Sequence, residues 1–382
     1  MTTNPRIRQR GVTFLGVICV AVLGVILTLG LWPFHVPKNG VAWLRNRSGL
    51  RFSRHGTVFS SGVLTMTSAQ SEACSSLEIW LQPGRIRDSH TFLTFYVPEN
   101  PFQFSLQQSQ NDLALQTAIQ DGEHRTKTVS FRVPDVFRKR GPVFITINSG
   151  SQGTAVYIDG VPAKRAPQFR LFPKELTGRL VLGDSPKRDD SWSGQLLGLA
   201  IYHRELTAPQ VLKHYEAWTQ REQLEIAGDE RNIALYLFDE RGGNVVHNKA
   251  GTGADLYIPE KYVVLDQVFL ERPWREFSRS MSYFRAFLKN IVGFIPLGFC
   301  FYAYLSAARY VKRPALATVI LGTLVSLTIE VLQAYLPTRE SGMTDLITNT
   351  FGTYIGVLLY RVVSPILAAT LPWLPLVASP RR

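Results

Sequence analysis

Cysteine is scarce: the 382 residues hold only Cys19, Cys74 and Cys300. Cys19 and Cys300 fall in long apolar runs, so Cys74 is alone in the polar part of the chain. An internal disulfide is therefore excluded there, and a domain of that size can bury enough apolar surface without one. No C-x-x-C pair, zinc-type Cys/His spacing or H-E-x-x-H helix motif occurs, so neither a metal nor any other cofactor is expected. Acidic residues are few as well, 29 against 42 basic ones, for a net charge of +13. Such an excess can mark a nucleic-acid binder, but its distribution argues otherwise. Residues 1–34 and 286–382 carry eleven basic side chains against Glu330, Glu340 and Asp345, which accounts for eight of the thirteen charges. Most of the excess flanks apolar runs, where membrane topology explains it.

The apolar residues are concentrated at the two ends. Gly11 to Leu31 contains no charge and is long enough to cross a bilayer. It exceeds a signal-peptide core and ends at Leu31-Trp32-Pro33-Phe34 without a small-residue cleavage site, so it reads as a retained anchor. Three further spans are expected at Leu288–Ala308, Ala315–Leu336 and Asp345–Val363. Arg6, Arg8 and Arg10 precede the first span, and Arg309, Lys312 and Arg313 sit between the second and third. The positive-inside tendency puts both groups, and the C-terminus, in the cytoplasm, and residues 35–285 on the other side. The apolar, proline-bearing tail 364–382 is expected to lie along the interface.

The expected architecture is mixed: an all-β jelly-roll sandwich over 35–285 and an α-helical bundle of about four spans from 1–34 and 286–363. The middle segment alternates in short runs bounded by Gly, Pro, Asn and Ser, as in Ser76–Leu81, Thr91–Val97, Val143–Asn148, Ala155–Ile158 and Leu180–Leu182. Asp159-Gly160 marks a hairpin turn, and Thr207–Ala217 a helix capped by Thr207. Leu180–Asp184, Trp192–Leu196 and Leu199–Thr207 resemble the closing strands of laminin-G-like, concanavalin A-like jelly rolls. Ala234–Glu240 with Gly242-Gly243 resembles a strand that usually opens such domains, so here a C-terminal strand is expected to close the sandwich. The resemblance implies glycan, protein or calcium binding, and polysaccharide hydrolysis in some relatives. Hydrolysis needs two carboxylates across the sugar bond. No Glu-x-Asp-x-Glu strand occurs, and Asp189-Asp190 and Asp239-Glu240 read as solvated turns. Trp80 and Trp192 could stack on sugars or fill the core; core packing is the simpler reading.

Polar residues inside the apolar runs are the sharpest signal, because they are costly in lipid. Ser326, Glu330 and Gln333 share one helix face, and so do Asp345, Asn349, Gly352 and Gly356. Gly352 and Gly356 permit close helix approach. Asn290, followed by Pro296 and Gly298, opens the second span, where Pro296 is expected to kink the helix. Asn290, Glu330, Gln333, Arg339, Asp345 and Asn349 all fall toward one end of the bundle. Asn290–Gly298 is similar to the N-x-x-x-F-x-P-x-G element of VanZ-like membrane proteins. Glu330-Val331-Leu332-Gln333, Pro337, Arg339, Asp345, Asn349-Thr350 and Gly352 resemble that family's second signature. This resemblance implies a bacterial cytoplasmic-membrane protein of the cell envelope, with a sandwich inserted in its first external loop and a link to resistance against teicoplanin-type glycopeptides. It carries over no catalytic residue.

Three functions remain open at this point. The polar face could simply join the helices as a scaffold. It could bind the head group of an envelope glycan or lipid-linked precursor, with Arg339 on a phosphate or carboxylate. Glu330 or Asp345 could act as a base in a membrane-embedded hydrolase, but no nucleophile stands out. A non-enzymatic binding protein is the expectation, with membrane lipids and a cell-wall glycan or lipid-linked precursor as partners, no nucleic acid, and an oligomeric state the sequence leaves open.

Overall fold

The computed structural model describes residues 5–66, 74–121, 125–186, 190–220, 232–251, 253–277, 279–339 and 341–370. They form two compact units, one of Pro37–Asp266, the other of Met1–Val36 with Gln267–Arg382.

The first unit is a sandwich of two antiparallel sheets. One sheet runs β1 (Val41–Trp43), β2 (Leu50–Phe52), β13 (Gly194–Tyr202), β4 (Ser75–Pro83), β9 (Val143–Gly150), β10 (Gly153–Ile158), β11 (Val161–Ala166), with β14 (Asn232–Tyr236) also on β13. Gly194–Leu196 of β13 pairs with β2, and Leu199–Tyr202 pairs with β14. A strand from the far end of the domain thus completes the edge that β2 leaves, as the late Ala234–Glu240 segment suggested. The other sheet runs β15 (Val245–Val246), β16 (Leu256–Tyr257), β3 (Val58–Ser60), β12 (Arg179–Leu182), β5 (Asp88–Val97), β6 (Asn100–Gln110), β7 (Asp112–Asp121), β8 (Arg125–Val133).

Alternation decides which side of each strand is buried. In the second sheet Val58, Leu182, Leu93, Leu106, Leu115 and Phe131 lie in register across six strands and join the core. One residue on, Phe59, Val181, Thr94, Ser105, Gln116 and Ser130 form the opposite row, on the outer face. Burying each large apolar side chain of the inner row contributes about 1.5–3 kcal/mol. Asp159 (φ 51°) and Gly160 (φ 78°) turn β10 into β11, and the Asp159 carboxylate accepts the Phe144 N–H at 2.9 Å.

Helix α2 (Ala208–Gln220) covers the outer face of the first sheet, where Val211, Ala217 and Trp218 pack with Phe144, Ala200 and Tyr202. Thr207 stands immediately before its first residue, where the cap was expected, and its carbonyl accepts the Val211 N–H at 2.9 Å. The Thr207 N–H and hydroxyl both donate to Gln210 Oε1, at 2.9 Å each. Gln210 reaches back to the chain, supplying the returning half of a capping box. Trp192 is fully buried and donates to Gln108 Oε1 at 2.9 Å, and Trp80 packs beneath α2. Trp192 is therefore a core residue, and Trp80 is half-buried. Asp190 is not a solvated turn residue: its Oδ1 accepts the Thr91 N–H at 3.2 Å, and burial pushes its carboxyl up. Asp189 lies outside the described residues.

The second unit holds the four apolar helices long enough to cross a membrane: α1 (Pro5–Leu31), α4 (Met281–Ala308), α5 (Pro314–Gln333) and α6 (Met343–Thr370). A one-turn helix, α3 (Pro273–Glu276), precedes α4. The expected mixed class therefore holds, and the chain is a multi-pass membrane protein. The helix ends differ from the hydropathy reading. Helix α4 begins seven residues before Leu288, because Ser280 caps it by accepting the Tyr283 N–H at 3.2 Å. Helix α6 passes Val363 and runs through Pro365 to Thr370, so that part of the tail is helical. A proline within a spanning helix is tolerated where neighbours absorb the lost hydrogen bond. Residues 371–382 lie outside the described residues.

Candidate functional site

Helices α4 and α6 make the most extensive helix–helix contact. Side chains are excluded along that seam. A Cβ at Gly352 would meet the Ile291 carbonyl, one at Gly356 the Ile295 carbonyl, and one at Gly298 the Thr353 carbonyl. Pro296 lies within α4 on this stretch. The resulting approach brings polar side chains of three helices together at one end of the bundle.

The first turn of α6 organises that end. A helix N-terminus leaves unpaired N–H groups and attracts negative charge. Here the donors are met by groups distant in sequence. The Gly342 N–H donates to Glu330 Oε2 at 2.8 Å, the Met343 N–H to the Glu271 carbonyl at 3.0 Å, and the Thr344 N–H to Glu276 Oε2 at 3.1 Å. Glu330 is 1% exposed, and Ser341 gives it a further hydrogen bond. Asp345, in the same turn, accepts from Asn290 Nδ2 at 2.7 Å. Three carboxylates, Glu276, Glu330 and Asp345, thus surround one helix start.

The other expected residues meet different partners. Gln333 Nε2 donates to the Gly30 carbonyl at 2.7 Å, and Arg339 donates through a terminal nitrogen to the Trp32 carbonyl. Both satisfy acceptors left bare where α1 ends. Asn349 Nδ2 donates to Ser326 Oγ at 2.9 Å. Of the six residues, Asn290, Glu330 and Asp345 meet at the start of α6, Gln333 and Arg339 reach the end of α1, and Asn349 ties α6 to α5. Part of Arg339's fork is already spent on a backbone carbonyl. Glu276 and Ser341 were not singled out from the sequence. Glu276 sits in a basic, aromatic stretch far from α6 in the chain, and no local pattern marks it as a cap.

Several atoms at this end keep unused capacity. Gln333 Oε1, Asn349 Oδ1, Thr344 Oγ1 and Arg339 Nε are buried without a hydrogen-bond partner. Their residues Gln333, Asn349 and Thr344 are at least nine-tenths buried. Among the described residues no cluster of three or more His, Cys, Asp or Glu side chains suits a metal ion.

The sandwich buries polar groups of its own. Fully buried Glu78 accepts from Tyr202 Oη at 2.8 Å, His214 Nδ1 at 2.9 Å and Trp218 Nε1 at 3.1 Å. A carboxylate only accepts, so His214 Nδ1 carries the hydrogen. Asp184 accepts from the Ser185 N–H, Ser191 Oγ and Tyr262 Oη, each at 2.8 Å. Burial nevertheless pushes the Asp184 carboxyl up to about 7.

Four apolar helices with a two-sheet jelly roll define a multi-pass membrane protein bearing a concanavalin A-like domain. Two family models agree with that class. Residues 233–364 match the VanZ/LLP1 family model, and residues 56–212 match the concanavalin A-like lectin/glucanases superfamily in its laminin G form. No curated protein matches the chain. Among solved structures, similarity extends to the receptor binding domain of botulinum neurotoxin C/D mosaic serotype, at 16% identity over 48% of this chain and 46% of that one, TM-score 0.35. The binding domain of Paraclostridial Mosquitocidal Protein 1 matches at 12% identity over 48% and 47%, TM-score 0.35. The botulinum neurotoxin type G receptor binding domain matches at 16% identity over 46% and 50%, TM-score 0.30. The chain spans about half the length of the solved structures it matches.

Proposed function

We propose that this protein is a non-enzymatic factor of the bacterial cell envelope that binds the head group of an envelope glycan or lipid-linked precursor. One observation carries the reading: Gln333 Oε1, Asn349 Oδ1, Thr344 Oγ1 and Arg339 Nε remain buried and unpartnered at one end of the bundle. Leaving such an atom unpaired costs about 1–3 kcal/mol. Two amide oxygens favour an occupant that offers hydroxyl and amide hydrogens. Glu276, Glu330 and Asp345 add further acceptors at the same end, which suits an occupant that donates hydrogen bonds. The lectin/glucanase name of the matched superfamily supports glycan binding by the sandwich.

The test is thermal unfolding of the full-length protein in mild detergent, with and without peptidoglycan fragments and lipid-linked precursors. Stabilisation by one of these, lost in Asn349→Leu, is the expected outcome. No shift with any of them in well-folded protein sinks the reading. It leaves the scaffold alternative, which has its own support: Asn290–Asp345, Asn349–Ser326 and Gln333–Gly30 each tie two helices together. In cells, a link to teicoplanin-type resistance predicts that expression lowers glycopeptide susceptibility.

The orientation that goes with this reading puts both termini in the cytoplasm and the sandwich outside, following the cations around α1 and the 309–313 turn. Cys74 is a native reporter, because Cys19 and Cys300 lie in spanning helices. A membrane-impermeant maleimide applied to intact spheroplasts labels Cys74 if the sandwich is external. Labelling only after lysis reverses the orientation.

A further inference from the structure

Helix α4 carries cations at both ends. Its C-terminal end leads into Arg309, Lys312 and Arg313. Around its N-terminal end stand five more, Arg272, Arg275, Arg279, Arg285 and Lys289, against the acids Glu271 and Glu276. Insertion bias concentrates cations on one side of a membrane. Topology therefore explains one end of α4 and leaves the other without a reason.

The second group is not consumed within the protein. Glu276 is committed to the Thr344 N–H of α6. Arg272, Arg279, Arg285 and Lys289 are exposed, and among the described residues none of them has a carboxylate partner. Large apolar side chains are exposed beside them: Trp274 at 71%, Phe277 at 62% and Phe284 at 59%. The Arg272 guanidinium lies 5.7 Å from the centre of the Trp274 ring.

Length places this group at a membrane surface. Helix α5, with 20 residues, spans about 30 Å, one hydrocarbon core. Helix α4 has 28 residues and joins α5 through the short 309–313 turn. Its first two turns, Met281–Leu288, therefore stand past the far end of α5. There Phe284 and Leu288 lie one turn apart on one stripe, and Arg285 and Lys289 one turn apart on the next. Long basic side chains on such a helix end reach outward to the head groups while their stems and neighbouring aromatics stay in the apolar layer.

We propose that residues 272–277 and 279–289 form a cationic, aromatic collar that binds the phosphate head groups of anionic phospholipids on that side of the membrane. Phe284, Leu288 and Trp274 enter the acyl boundary, and Arg272, Arg279, Arg285 and Lys289 take the phosphates. The collar is independent of the head-group site proposed above, whose unpartnered atoms are buried. Four exposed cations at a surface favour anionic over zwitterionic lipid by about tenfold or more.

The experiment reconstitutes the full-length protein in nanodiscs of mixed phosphatidylglycerol and phosphatidylcholine, and counts the lipids retained on mild extraction by native mass spectrometry. Wild type is expected to retain the anionic lipid about tenfold over its share, and less so as salt rises from about 50 mM to about 500 mM. Combining Arg272→Gln, Arg279→Gln, Arg285→Gln and Lys289→Gln abolishes the preference. A control with Arg309→Gln, Lys312→Gln and Arg313→Gln keeps most of it. The proposal is overturned if the collar variant keeps the wild-type preference or if only the control loses it. Should the collar variant fail to fold, the wild-type salt series decides: a preference that is absent, or flat across salt, overturns the proposal.

Discussion

The sandwich and the helix bundle both bury carboxylates, but they seat them differently. Glu78 in the sandwich is held by three side chains, from a neighbouring strand and from the helix above it. Glu330 in the bundle accepts from a backbone N–H at a helix start. The sandwich uses its carboxylate as a latch between layers, where ring N–H and phenol groups must find acceptors once buried. The bundle uses its carboxylate as a cap, because inside lipid the backbone ends are the groups in greatest need. The difference has a functional side. The three donors that reach Glu78 all find their acceptor there, whereas the amides near Glu330 each keep an unpaired oxygen. The latch is closed by its own donors, and the two amide oxygens keep accepting capacity.

The largest expected effect breaks the latch. Glu78→Leu removes the acceptor for Tyr202, His214 and Trp218 at once and is expected to destabilise the sandwich by about 3–5 kcal/mol. Hydrogen exchange read over residues 208–220 locates the damage at α2. If exchange there stays at the wild-type rate, the helix is held by apolar packing alone and the contrast with Glu330 is empty.

The two regions also differ in how far their sequences announce them. Strand alternation marked β4, β5, β9, β10 and β12 to within a few residues, and Asp159-Gly160 marked its hairpin, since period and turn chemistry are local. Glu78 left no trace. It sits in Ser76–Leu81 as one polar residue in an alternating run, and its partners are more than a hundred residues away. In the bundle the reverse holds. Glu330, Gln333, Asp345 and Asn349 stood out because lipid makes polar residues expensive, yet the helix ends were misplaced. Arg285 and Lys289 lower the hydropathy of a segment that Ser280 nevertheless caps as helix, and Pro365 looks like a stop that the bundle tolerates. Burial cost is legible in a sequence; the partner that relieves it is not.

A smaller effect tests the seam that forms the bundle's polar end. Gly352→Val puts a branched side chain against the Ile291 carbonyl, and overpacking of this kind costs about 1–3 kcal/mol. The expected result is a lower unfolding midpoint in detergent, with faster exchange in α4 and α6 and an unchanged sandwich. Equal loss in both units would mean that they unfold together, and the comparison between them would have to be redrawn.

The smallest effect concerns pH and separates two kinds of latch within the sandwich. Asp184 has three donors, as Glu78 has, yet burial outweighs them and pushes its carboxyl from 3.8 up to about 7. Between those values the folded chain holds a proton that the unfolded chain has released. Folding stability from this group is therefore complete below about pH 4 and is lost as pH rises toward 7. Glu175 and Asp190 are pushed the same way by burial, so the wild-type slope alone cannot be assigned to Asp184. The difference between wild type and Asp184→Asn can. The amide never ionises, so the variant's midpoint should fall less steeply between pH 5 and pH 8 and end above wild type at the alkaline side. Parallel slopes would mean that Ser185, Ser191 and Tyr262 keep Asp184 ionised throughout. It would then be a saturated latch of the same kind as Glu78.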